Sequence, residues 1–102
     1  MRTLLVQPRD ITVLEEAIRA THGCEPQYAR TEIVPDMSGE QIPWGRFVRV
    51  FRLIDHPKAR RCYAWTYRQG EAKKSVTVLE LPPVESAESA VKVAIANNRE
   101  TF

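Results

Sequence analysis

Arg46-Phe-Val-Arg-Val-Phe-Arg-Leu-Ile54, Arg61-Cys-Tyr-Ala-Trp-Thr-Tyr-Arg68 and Lys74-Ser-Val-Thr-Val-Leu-Glu-Leu81 lie within one stretch, Gly45 to Leu81, whose reading decides the fold. Each run is rich in β-branched and aromatic residues. The turn-forming segments Asp55-His-Pro-Lys-Ala-Arg60 and Gln69-Gly-Glu-Ala-Lys73 separate them, so the stretch reads as three antiparallel strands.

Loop length decides which side chains meet, because residues opposite each other on paired strands share a face. With Asp55 to Arg60 as the loop, Ile54 faces Arg61. Phe47, Phe51 and Leu53 then share a face with the small Cys62, Ala64 and Thr66, while Val48 and Val50 lie on the other face beside Tyr63, Trp65 and Tyr67. A four-residue loop, Gln69 to Ala72, sets Arg68 opposite Lys73, Arg61 opposite Glu80 and Trp65 opposite Val76. Thr77 and Leu79 join the first face, Val76 and Val78 the second. Arg49 falls on the first, presumed core, face and needs a carboxylate there; Glu15, Glu16 and Glu32 are the candidates. A one-residue bulge between the first two strands is the alternative, and would reverse their pairing.

Outward from the strands, Asp10 is an N-cap, Thr12-Val-Leu-Glu15 offers a second capping box two residues on, and Ile11, Leu14, Ile18 and Thr21 recur as a helical stripe that Gly23 terminates. This predicts a helix over residues 11–22. Tyr28 to Val34 alternates as a half-exposed strand, and Pro35 to Gly45 follows as a long loop with Ile42 and Trp44 as a lid over the core edge. Thr3 to Gln7 reads as a short strand or arm. Pro82-Pro83 marks the exit from the sheet, and Ser86 caps a second helix, roughly 87–97, whose stripe is Ala87, Ala90, Val91, Ala94 and Ile95. The expected architecture is one α+β domain over residues 1–102, a four-stranded antiparallel sheet with both helices packed on one face, in the order (β)-α-β-β-β-β-α. Its expected core is Ile11, Leu14, Ile18, Phe47, Phe51, Leu53, Leu79, Val91 and Ile95.

At 102 residues the chain buries enough surface to need no staples. Its formal net charge is +2, but the distribution is uneven. Residues 44–74 hold nine Lys/Arg against two acidic residues, whereas residues 1–43 are net −3 and residues 75–102 net −2. Two cysteines, Cys24 and Cys62, without paired spacing suggest reduced thiols, and with no secretory leader or membrane-length apolar run the expected location is cytoplasmic and away from membranes.

Catalytic and cofactor patterns are sparse. The glycines Gly23, Gly39, Gly45 and Gly70 form no phosphate loop, so no cofactor is expected. His22 and Cys24 sit two apart, with His56 and Cys62 elsewhere, and a metal site needs three or four ligands; the structural reading of each is preferred, His56 as a turn residue. The order helix, three strands, helix also occurs in double-stranded RNA-binding domains. Their second helix needs a basic start to grip phosphate, and here that stretch is Glu85-Ser-Ala-Glu88, which excludes the assignment.

The function expected from the sequence is a non-enzymatic protein-interaction module that homodimerises through the second sheet face, Val48, Val50, Tyr63, Trp65, Tyr67, Val76 and Val78. Seven large apolar side chains on an open face demand a cover. The competing covers are Leu4 to Val6 and the Ile42-Pro-Trp44 loop. The alternative is single-stranded nucleic acid, most simply RNA, stacked on Tyr63, Trp65 and Tyr67 within a basic rim of Arg46, Arg52, Arg61 and Lys74. A second alternative is a small ribonuclease-like enzyme, which requires a cleft gathering His22, His56, Tyr63 and Arg61.

Overall fold

The computed structural model describes residues 9–34, 46–69 and 71–101. It contains α1 (Arg9–His22), β1 (Glu25–Val34), β2 (Arg46–Ile54), β3 (Arg61–Gln69), β4 (Ala72–Leu79) and α2 (Ala87–Thr101). The strands form one antiparallel sheet in the order β1-β2-β3-β4. Thus the α+β class, the four-stranded sheet and the helix-strands-helix order are those expected from the sequence. Residues 1–8 and 35–45 lie outside the described residues, which covers the expected arm Thr3 to Gln7 and the lid residues Ile42 and Trp44.

Helix α1 forms where its apolar stripe predicts, and Ile11, Leu14 and Ile18 are buried. It ends at Gly23, whose φ of 67° puts it in the left-handed region while its N–H donates to the Arg19 carbonyl at 3.0 Å. Strand β1 starts three residues earlier than expected and includes Pro26, which an edge strand tolerates. A bulge lies between β1 and β2: Tyr28 pairs with Phe51 and Arg30 with Val50, leaving Ala29 unmatched.

The β3–β4 register is the expected one, with Trp65 opposite Val76 and Arg68 opposite Lys73. The β2–β3 register is slipped by two residues from expectation. Phe51 pairs with Cys62 rather than Ala64, and Arg52 with Arg61. The loop accounts for this: His56 Nδ1 accepts the Lys58 and Ala59 N–H groups at 3.1 and 2.9 Å, and Ala59 is buried, so the chain re-enters the ladder with Leu53 N–H donating to the Arg60 carbonyl at 2.8 Å. Because side chains alternate with period two, a slip of two leaves every face assignment intact.

The placement of the helices corrects the sequence expectation. Helix α1 packs with Phe51, Cys62 and Ala64, whereas α2 packs on the opposite face with Val48, Val50, Tyr63 and Trp65. Size complementarity explains the division. The bulky Ile11, Leu14 and Ile18 meet the small face of β3, and the small stripe Ala87, Ala90 and Val91 meets its tyrosine and tryptophan. The start of α2 is fixed by a reciprocal serine pair: Ser86 Oγ accepts the Ser89 N–H at 3.2 Å, and Ser89 Oγ accepts the Glu85 and Ser86 N–H groups at 2.8 and 2.9 Å.

Of the expected core, Ile11, Leu14, Ile18, Phe51 and Val91 are buried, and Leu53 and Leu79 are partly buried. Ile95 lies outside the described side chains. Phe47 is a correction: it is 56% exposed. No described helix is long and apolar enough to cross a membrane.

Candidate functional site

The second sheet face is covered by the chain's own α2. Val48, Val50, Tyr63 and Trp65 are almost fully buried, with Val76 and Val78 partly buried against the same cluster and Tyr67 half-buried nearby. The aromatic row therefore offers no open stacking platform: among the described residues its cover is α2, and the competing covers Leu4 to Val6 and Ile42 to Trp44 lie outside those residues. Tyr63 is tied down further: its hydroxyl donates to Glu80 Oε2 at 2.7 Å, and burial followed by that carboxylate pushes the phenol far above its ordinary range.

The basic rim is also divided. Arg52 and Arg61 are cross-strand partners at one end of the sheet, while Lys74, opposite Tyr67, lies at the other. Six residues separate Arg61 from Tyr67 along β3, about 20 Å of strand. Arg52, Arg61 and Lys74 are exposed, and Arg46 begins β2 at the Lys74 end.

What the sequence did not reveal is on the α1 face. Ile33 and Phe47 are direct partners on β1 and β2, and they are 66% and 56% exposed. Beside them runs a polar network. Arg49 Nε and an Nη donate to the two Asp10 carboxylate oxygens at 2.9 and 3.1 Å, its other Nη donates to Thr31 Oγ1 at 2.6 Å, and Tyr28 shares a 2.7 Å hydrogen bond with Thr31. Arg49 thus takes its carboxylate from Asp10, not from Glu15, Glu16 or Glu32, and Glu32 pairs with Arg30 at 2.7 Å instead. Asp10 stands in the first turn of α1, so this bidentate contact pins the start of the helix above Arg49. Strand β2 runs on past that point, and Phe47 emerges beyond the helix.

One signal for this was available. A helix over residues 11–22 spans about 18 Å. A nine-residue strand spans about 30 Å, so the helix leaves part of its face uncovered. Strand β1 adds a second open feature: among the described residues it pairs with β2 alone, so its outer backbone edge has no strand partner.

The remaining candidates serve structure. His22 Nε2 hydrogen-bonds Thr77 Oγ1 at 2.9 Å, and burial, then the charge of His56, lowers its pKa. Burial, followed by Asp55 and Glu25, raises the Cys24 thiol, and burial pushes Cys62 up to about 12. Both thiols are therefore protonated, weak nucleophiles at neutral pH. His22 contacts β4 on the α1 face while Tyr63 packs on the α2 face, so the sheet separates members of the postulated acid-base cleft. Among the described residues no three His, Cys, Asp or Glu side chains are grouped to hold a metal. Comparison with protein-family models, curated proteins and solved structures gave no match to this chain.

Proposed function

We propose that the domain is a protein-interaction module that homodimerises through the outer edge of β1 and the Ile33–Phe47 pair beside it. The observation that carries this reading is the exposure of that pair: two large apolar side chains directly opposite each other, with the helix ending short of them. Burying half-exposed side chains of this size contributes about 1–2 kcal/mol each.

A second copy is the occupant that the charges favour. Arg30 and Glu32 alternate along β1 and already attract each other at 2.7 Å. In an antiparallel two-fold pairing centred on Thr31, Arg30 meets the partner's Glu32 and Glu32 meets the partner's Arg30, a self-complementary match. The same register sets Ile33 against the partner's Ala29, large against small. The other edge strand, β4, carries the exposed Lys74 near its start, a charge that blunts pairing.

Light scattering and sedimentation across a dilution series test this, with Phe47→Glu and Ile33→Lys as variants. A dimer whose dissociation constant rises about 30-fold in either variant, the mark of a hot spot worth about 2 kcal/mol, supports the reading. A wild type that stays monomeric at high micromolar concentration overturns it. So does a chain that dimerises only after residues 1–8 are removed, which would make the N-terminal segment the occupant.

A further inference from the structure

At the end of the sheet away from Ile33 and Phe47, Arg52 and Arg61 are direct cross-strand partners, and both are exposed. Their neighbours along the strands, Val50 and Tyr63, lie in the α2 cluster, so both arginines project on that face. Like charges directly opposite each other destabilise an antiparallel pair. The sheet therefore keeps an arrangement that its own folding disfavours, relieved on the Arg61 side alone by Glu80. Arg61 uses one Nη to reach both Glu80 oxygens in long contacts of 3.5 and 3.4 Å, and the nearer oxygen also accepts the Tyr63 hydroxyl at 2.7 Å. The other neighbour of Arg52 is the neutral Gln27 of β1. Lys58, in the adjoining loop, is exposed as well, and among the described residues neither it nor Arg52 has a carboxylate partner.

We infer that Arg52, Arg61 and Lys58 form a binding site for the phosphodiester backbone of nucleic acid, independent of the dimer edge. An anion lodged between the two guanidiniums removes their repulsion, supplies acceptors to the Arg52 fork and offers Arg61 shorter ones than its long contacts to Glu80. Arg52 and Arg61 stand side by side on paired strands and Lys58 belongs to the loop that joins those strands, so the charge is shared among three exposed side chains, which suits a repeating anion. Recognition is of backbone and not of bases, because Tyr63 and Trp65, the row's aromatics nearest Arg61, are buried under α2 and the half-buried Tyr67 lies at the other end of β3. Binding is accordingly independent of sequence and steeply dependent on salt.

The test is fluorescence anisotropy with a labelled 20-nucleotide single-stranded RNA at 50 and 200 mM salt. Three phosphate contacts predict an affinity loss of about 20-fold between the two conditions; Arg52→Ala with Arg61→Ala leaves one contact and a loss of about 3-fold. Arg52→Glu separates function from folding, since it replaces a repulsive pair by an attractive one: binding falls while the melting temperature holds or rises. Phe47→Glu leaves RNA binding unchanged, which keeps this site distinct from the dimer edge. The inference is overturned by no binding at 50 mM salt, or by binding that the double variant does not weaken. Preference for anionic phospholipid vesicles or a poly-glutamate peptide over RNA also overturns it.

Discussion

The two faces of the sheet are covered by opposite means. On the α2 face the strands bring the bulk, Tyr63 and Trp65 with Val48 and Val50, and the helix brings alanines that let it come close. On the α1 face the helix brings the bulk and β3 brings Cys62 and Ala64. Apolar packing dominates the first. The second adds polar tethers at both ends of its helix, Asp10 to Arg49 and His22 to Thr77. The most exposed apolar pair among the described residues, Ile33 with Phe47, belongs to the α1 face, whereas on the α2 face only the strand-end Ile54 is left 42% exposed. An exposed aromatic therefore points to the end of a covering helix rather than to an uncovered face.

Truncating one aromatic on each face breaks this comparison most directly. Trp65→Ala removes a side chain 2% exposed and should destabilise the fold by about 3–5 kcal/mol. Phe47→Ala, at 56% exposure, should change monomer stability by less than about 0.5 kcal/mol. Urea unfolding at a protein concentration below dimer formation measures both. A large loss at Phe47 would mean that its end of the sheet is covered within the monomer.

The tether at the start of α1 is the next lever. Asp10→Asn removes the charge that Arg49 shares with two carboxylate oxygens, in a pair whose side chains are 17% and 18% exposed. The expected cost is about 1.5–3 kcal/mol, with Glu15→Gln and Glu16→Gln within about 0.5 kcal/mol of wild type. Equal costs at all three positions would show that helix-terminal charge, not the contact with Arg49, matters.

These contrasts show why some of the molecule was legible in the sequence and some was not. The β3–β4 register followed from a short connection between alternating runs, where few pairings are open. The longer Asp55–Arg60 connection admitted a slip of two, which sequence cannot detect because both registers keep the same faces. Arg49 was rightly marked as needing a carboxylate. Asp10 was missed because it read as a cap for the helix, and the contact joins residues 39 apart in the chain. Placing both helices on one face matches the small Cys62, Ala64 and Thr66 to a helix but leaves the small stripe of α2 unmatched to the bulky face. Matching the alanines of α2 to Tyr63 and Trp65 would have separated them, and with them the buried row from an interface. Ile33 and Phe47 carry no local mark of exposure; only the length of the helix against that of the strand distinguishes them from core.

The tether at the other end of α1 gives the smallest effect and one that depends on pH. Burial, then the charge of His56, holds the His22 pKa below its ordinary 6.5, while in the unfolded chain it returns to that value. As pH falls through about 6.5 the unfolded chain takes up a proton that the native state resists. Stability should therefore fall with decreasing pH and level off once pH passes below the native pKa. The hydrogen bond to Thr77 gives the effect its place, because a protonated ring must keep both nitrogens as donors beside His56. Urea unfolding at pH 7.5, 6.5 and 5.5 reads the slope in wild type and in His22→Gln, which keeps an amide donor for Thr77 but cannot titrate. The variant should lose part of the acid sensitivity. An identical slope in both proteins would remove His22 from the account and leave Asp10 as the tether that matters for α1.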